Sequence, residues 1–160
     1  MTDDNLVFRN ATIDDLSELV KLWLESAQFH QSLEPRFQYT SDATEATESY
    51  MSKQINSEKA CYRVAQIDDS IVGYIEVLVT ERPPIHVHKR IGYIGSLYVT
   101  PDSRRKGIGT KLWLLAYDWL MKKGVQVINL MVASKNPAAL EFWKNLNFSE
   151  IMVRLEMNSN

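Results

Sequence analysis

Apolar and polar positions along the chain follow two periods, and each stretch keeps to one of them. Leu6 to Asn10 is a short first strand. Leu16, Leu19, Val20, Trp23, Leu24 and Ala27 recur at helical spacing, which predicts a helix from Ile13 to Phe29. Thr12 is its expected N-cap, with Asp14 and Asp15 in the first turn. Pro35 bars its continuation. Ser41 to Asn56 is polar and weakly periodic and reads as a second helix. Ala60 to Ile67 and Ser70 to Val79 are strands joined at Asp68-Asp69, an antiparallel hairpin. A long irregular connection, 80–90, leads into a strand from Ile91 to Val99. Ile108, Leu112, Leu115, Trp119 and Leu120 line one side of a helix that Gly124 ends, with Lys122 and Lys123 in its last turn.

The near-continuous apolar run Val125 to Val132 predicts a strand covered on both faces. Asn136 to Leu146 predicts a helix with Pro137 in its first turn. Phe148 to Met157 predicts a final strand, with Ile151, Val153, Leu155 and Met157 on one face. The order β-α-α-β-β-β-α-β-α-β implies an α/β fold, a mixed sheet with helices on both sides. One domain is expected over residues 1–160.

Composition changes this picture little. Apolar residues make up 45% and charged residues 24%, as in an ordinary soluble domain. The formal net charge of −2 argues against a general nucleic-acid binder but leaves a cationic substrate open. The single cysteine, Cys61, rules out an intramolecular disulfide and fits a reducing compartment. With neither a leader pattern nor a membrane-length apolar run, a cytoplasmic protein without a membrane partner is expected.

The richest chemistry lies between the strand ending at Val99 and the helix starting at Ile108, in V-T-P-D-S-R-R-K-G-I-G-T, Val99 to Thr110. Pro101 ends the strand. Gly107 and Gly109 permit a tight turn and close backbone approach. The helix start offers unpaired N–H groups at the positive end of its dipole, and Arg104, Arg105 and Lys106 add charge. This is an anion cradle suited to a phosphate or pyrophosphate, against the plainer reading of a basic, solvated helix entry. Walker A order fails at Gly109-Thr110-Lys111. The dinucleotide fingerprint fails because Leu112 stands at its third glycine.

What does match is R-x-x-G-x-G, Arg104 to Gly109, behind L-Y-V-T-P. It resembles the acyl-CoA pyrophosphate loop of the GNAT superfamily of N-acetyltransferases. A second block, Asn136 to Phe148, N-P-A-A-L-E-F-W-K-N-L-N-F, resembles the same family's N-x-x-A-x-x-F-Y-x-x-x-G-F. The resemblance implies the GNAT fold and acetyl-CoA as cosubstrate. It implies that the Leu97, Tyr98 and Val99 backbone binds the pantetheine arm and the thioester carbonyl. It further implies that the pyrophosphate lies on the N–H groups of Arg105, Lys106, Gly107, Ile108, Gly109 and Thr110, with Arg104 near by. Asn136 would hydrogen-bond the arm, and Phe142 and Lys144 would line it. Trp143 stands where the family has a tyrosine acid. An indole N–H donates a hydrogen bond but gives up no proton near neutral pH, so Trp143 is expected as a wall beside the arm. Asn147 replaces the family's helix-ending glycine, and Asn tolerates the left-handed conformation.

The implied reaction moves an acetyl group from the thioester to a primary amine of a small molecule or peptide. Glu76, a carboxylate in an otherwise apolar strand, is the candidate base if it faces the cleft, and a solvated surface residue if it does not. Tyr98 and Tyr93 are candidate donors near the thiolate, against a plain core role. His30, Glu34 and His86 are candidate acceptor contacts, against a helix-end histidine interacting with the dipole at His30 and solvated loop histidines at His86 and His88. No metal site is expected, since the histidines lack helical H-x-x-x-H spacing. A non-catalytic acyl-CoA-binding module is the alternative function. A homodimer paired through the last strand's open edge is the expected assembly.

Overall fold

The structure, a computed structural model, describes residues 5–159. β1 (Leu6–Asn10) leads through a 3-10 turn (Ile13–Asp15) into α1 (Leu16–Leu33) and α2 (Ala43–Ile55). The strands β2 (Ala60–Ile67), β3 (Ser70–Glu81) and β4 (Arg90–Val99) follow, then α3 (Ile108–Lys122), β5 (Val127–Asn129) and α4 (Pro137–Asn145). The sheet runs in the order β1-β2-β3-β4-β5, antiparallel throughout except for the parallel pair of β4 with β5.

Local chemistry accounts for most boundaries. The Thr12 N–H donates to Asp15 Oδ2 at 2.7 Å, and Arg9 holds the same carboxylate by two bonds of 2.7 Å, tying β1 to the start of α1. Asp68, at φ 51°, makes the tight turn of the β2–β3 hairpin. Gly124 closes α3 at φ 73°. α4 ends in a Schellman motif. Asn147 sits at φ 67°, its N–H donates to Lys144 O, and the Phe148 N–H reaches back to Trp143 O at 3.1 Å. The Trp143 and Phe148 rings, 5.2 Å apart, supply the apolar contact that accompanies this cap. Asn147 therefore does the work of the missing glycine.

Two cores lie on opposite faces of the sheet. On one, α3 and α4 pack Ile108, Leu112, Trp113, Leu120 and Trp143 against Ile75, Val77 and Ile94. On the other, α1 and α2 pack Leu19, Leu22 and Met51 against Tyr62, Val64, Tyr74 and Tyr98. Burying each large side chain contributes about 1.5–3 kcal/mol.

Two strand expectations need correction. The apolar run from Val125 pairs with β4 only at Val127–Asn129, and these residues are half-buried. Beyond Tyr93↔Asn129 the two strands part, while β4 runs on to Val99 paired with β3 on its other edge. The predicted strand Phe148–Met157 does not form. The backbone after α4 finds no ladder partner among the described residues, and Ile151, Met152, Val153, Leu155 and Met157 are 78–90% exposed. Alternation shows only that a segment is able to lie on a sheet; a strand exists where another backbone pairs with it.

Candidate active site

The fork where β4 leaves β5 is the start of the site. One wall is β4 from Ile94 onward; the other is the segment after β5 and α4. α3 begins at the end of β4. Gly107 is its N-cap at φ 78°, a left-handed conformation that costs other residues about 1–2 kcal/mol. Apart from its two chain neighbours, no described residue has an atom within 4 Å of where a side chain on Gly107 would start. The N–H groups of Ile108, Gly109 and Thr110 precede the first helical bond, Lys111 N–H to Gly107 O at 3.0 Å, and lack i−4 carbonyls. Gly109 faces Phe142 of α4 and Leu97 of β4, which join the helix start to both walls. The geometry is an open cradle of amides at the positive end of a 15-residue helix.

The flanking cations divide their roles. Arg104 turns back, donating from Nε to Val99 O at 2.8 Å with its guanidinium 5.6 Å from the Tyr98 ring centre, so it braces the loop. Arg105, at φ 63°, is exposed, as is Lys106. Asn136 Oδ1 accepts the Ala139 N–H at 3.2 Å and caps α4. Trp143 is buried, edge-on to Trp113, Phe142 and Phe148, and stands behind Phe142 in the core. Lys144 is at the surface, 3.5 Å from Glu150.

On the α1/α2 face, Glu76 is 7% exposed. Period 2 could not choose its face; the packing of α1 and α2 onto the Tyr74/Glu76 side does. Its Oε1 accepts the hydroxyls of Tyr62 at 2.6 Å and Tyr50 at 2.8 Å. Its Oε2 makes no hydrogen bond among the described residues and is not sealed from solvent. Burial pushes the Glu76 carboxyl above the usual carboxylate range, with the two tyrosine donors opposing the shift. The tyrosine hydroxyls are held above their ordinary value by burial and then by the Glu76 charge.

A β-bulge places this carboxylate. Glu76 pairs with Ser96 and Val77 with Ile94, leaving Gly95 unpaired. A Cβ on Gly95 would come 2.6 Å from Glu76 Oε2, so any larger residue here would displace the carboxylate from its place over the bulge. Ser96 donates to the buried Tyr74 hydroxyl at 2.8 Å. Tyr98, raised above its usual value by burial and by its bond to Glu25 Oε2 at 3.1 Å, lies on the same face. Tyr93 is half-buried, and burial and then the Glu76 charge raise it.

A pocket of about 230 Å³ opens onto Glu76, lined also by Trp23, Ala46, Thr47, Tyr50 and Met51. None of the three predicted acceptor residues lines it. His30 lies between the Phe29 and Phe37 rings with Nδ1 2.7 Å from Ser26 O. Glu34 binds Arg36 at 2.8 Å and Lys135 at 3.0 Å, joining the α1–α2 connection to the segment before α4; these partners hold its carboxyl well below the usual range. His86 sits on the exposed loop between β3 and β4, and His88 there meets Gln126 at 3.1 Å.

Tyr50, Tyr62 and Gly95 were missed from the sequence. An isolated glycine within a strand pattern is a bulge signal that would have found Gly95. No local pattern marks Tyr50 or Tyr62 as partners of a residue 26 or 14 positions away.

A forked sheet with an amide cradle at the fork's open end is the architecture of an acyltransferase, and comparison with known proteins places the chain within that class. The model of the Acetyltransferase (GNAT) family matches residues 22–148, and the chain belongs to that family. It is 30% identical over 135 residues to an uncharacterized N-acetyltransferase of Archaeoglobus fulgidus, covering 84% of this chain and 87% of that protein. Its fold is that of a predicted acetyltransferase with acetyl-CoA from Clostridium acetobutylicum, at TM-score 0.77 and 21% identity over 96% of both chains. It is also that of an aminoglycoside acetyltransferase from an uncultured soil metagenomic sample in complex with sisomicin, at TM-score 0.72 and 22% identity over all of both chains. The chain is accordingly an acetyltransferase, and no helix among the described residues is long and apolar enough to cross a membrane.

Proposed function

We propose that the protein transfers the acetyl group of acetyl-CoA to a primary amine by direct attack, with Glu76 as the base. The observation that carries this reading is the buried Glu76 carboxylate at the Gly95 bulge, one oxygen saturated by two tyrosines and the other open. The α3 cradle, with Arg105, Lys106 and the Ile108, Gly109 and Thr110 amides, fits the pyrophosphate, and the open space at Gly107 lets it approach the backbone. The Leu97, Tyr98 and Val99 backbone along β4 serves the pantetheine arm and the thioester carbonyl. Phe142 forms the wall, with Trp143 fixing it from behind, and Asn136 and Lys144 stand beside the arm.

The proton balance is simple. The acceptor arrives as an ammonium and gives one proton to Glu76. The amine nitrogen attacks the thioester carbon, the C–N bond forms and the C–S bond breaks. The nitrogen releases its second proton to water, and CoA thiolate takes up one from water or a nearby tyrosine such as Tyr93 or Tyr98, which water then reprotonates. A thiol's reference pKa of about 8.5 makes the thiolate a fair leaving group, so a dedicated acid in place of Trp143 is not needed. Burial raises the Glu76 carboxyl above its ordinary value, which makes it a stronger base.

The test is CoA release from acetyl-CoA with a panel of primary amines. Turnover that falls in Glu76→Gln while calorimetric affinity for acetyl-CoA persists supports the reading; tight binding with no turnover of any amine would support a binding module instead. A cytoplasmic location and a homodimer belong to the same proposal. Without the last strand, the basis for a dimer becomes the exposed apolar segment 151–157, which suits pairing with a sheet edge of a second copy. A single sedimenting monomer at micromolar concentration would overturn it.

A further inference from the structure

We propose that the acceptor is a small primary monoamine with one flat or branched apolar group, seated between Trp23, Tyr50 and Met51 with its ammonium on Glu76 Oε2. This rests on the acetyl-transfer reading above and adds the substrate class.

Three features of the pocket point the same way. The first is charge. Among its six lining residues Glu76 is the one carboxylate, and the rest of the wall is Trp23, Ala46, Thr47, Tyr50 and Met51. One ammonium finds a buried counter-ion here. A second ammonium on the same molecule would be desolvated against an apolar or aromatic wall with no anion to meet it, which is strongly unfavourable. Neither Glu25, which accepts the Tyr98 hydroxyl, nor Glu34, held by Arg36 and Lys135, lines the pocket.

The second is size. Ala46 and Thr47 lie one turn before Tyr50 and Met51 on α2, and their short side chains leave the space the slot occupies. The volume of about 230 Å³ lies below the range of roughly 300–1,000 Å³ that drug-sized ligands fill. A single ring on a short chain fits within this volume.

The third is the character of the wall. Tyr39 braces Trp23 edge-on, with ring centres 5.4 Å apart at 73°. Met51 is buried and Tyr50 fixes its ring by the bond to Glu76. Rigid aromatic and thioether surface rewards an apolar body. A peptide's amide groups would find few partners beyond the Thr47 hydroxyl and leave buried polar groups unpaired.

The experiment compares kcat/KM of the full chain, at saturating acetyl-CoA, for 2-phenylethylamine, spermidine and neamine. Saturation-transfer NMR of 2-phenylethylamine with the protein gives a readout independent of turnover. The expected result is at least a tenfold preference for 2-phenylethylamine, with saturation reaching its ring protons. Ala46→Trp, which fills the slot from an exposed helix position, should raise KM for that amine tenfold or more and leave acetyl-CoA affinity by calorimetry unchanged. Preference for spermidine or neamine overturns the substrate class while acetyl transfer stands. An unchanged KM in a folded Ala46→Trp variant overturns the seating. Acetyl-CoA bound with none of the three amines acetylated also overturns the class, and failure to bind acetyl-CoA at all overturns the underlying reading itself.

Discussion

The two faces of one sheet make different use of the same strands. Along β3, Ile75 and Val77 point to α3, while Tyr74 and Glu76 point to α1 and α2. The α3 face is dry: Trp113 packs against Trp143, Tyr117 and Phe148, and Leu112, Ala116 and Leu120 are fully enclosed. The α1/α2 face buries a carboxylate with three tyrosine hydroxyls and a serine in its vicinity. An apolar interior is stabilising; a buried carboxylate is not, unless donors satisfy it. The contrast teaches that the two faces are built differently: the α3 face supplies apolar stability, while the α1/α2 face holds a buried carboxylate that its tyrosine donors must satisfy.

The largest effect expected on this contrast is from Glu76→Gln. It should lower kcat/KM by about 10²–10⁴-fold, the scale of a lost general base, and remove the acidic limb of the pH profile. Its stability should move the other way. Because the folded pKa is raised, the wild type binds this proton more tightly when folded, so Glu76's contribution is most favourable at low pH and declines as pH rises from the unfolded value, about 4.3, through the folded one. Thermal melts across that window should show wild type losing ground to Glu76→Gln as pH rises. A parallel pH dependence in the two proteins would contradict the burial.

On the dry face, Trp113→Ala should cost about 3–5 kcal/mol in chemical denaturation. The residual folded enzyme should keep the shape of its pH–rate profile. A shifted acidic limb would show that the two faces are not separable.

Gly95→Ala tests the bulge. The added methyl meets Glu76 Oε2 at 2.6 Å, so the carboxylate must move. The expected costs are about 1–3 kcal/mol of stability, as for overpacking elsewhere, and a fall of about tenfold or more in kcat. Wild-type kcat in this variant would remove the bulge from the mechanism.

The smallest effect is expected of Tyr50→Phe. It deletes one donor to the charged carboxylate, so the Glu76 pKa rises further and the acidic limb moves to higher pH. Activity near neutrality should fall several-fold and recover as pH is raised. A limb displaced to lower pH would show that Tyr50 does not stabilise the charged form.

Much was legible in the sequence because it is local. Helical spacing of Leu16 to Ala27, the turn at Asp68, Gly107 and Gly124 at positive φ, and the cap at Asn147 are set by neighbours within a few positions, and each appears where the pattern put it. The turn from Val99 to Thr110 was legible for the same reason, being a strand end, two glycines and a helix start in twelve residues. What the tertiary structure alone decided concerns faces and partners. Period 2 assigns Glu76 and Ile75 to opposite sides but cannot say which side is covered; α1 and α2 settle that by packing on Glu76's side. Tyr50 and Tyr62 reach Glu76 from other elements, a meeting no local pattern encodes. The alternating segment 151–157 stayed unpaired because ladder formation needs a second backbone in register, and the apolar run after Val125 joined β4 for three residues before the fork carried the strands apart.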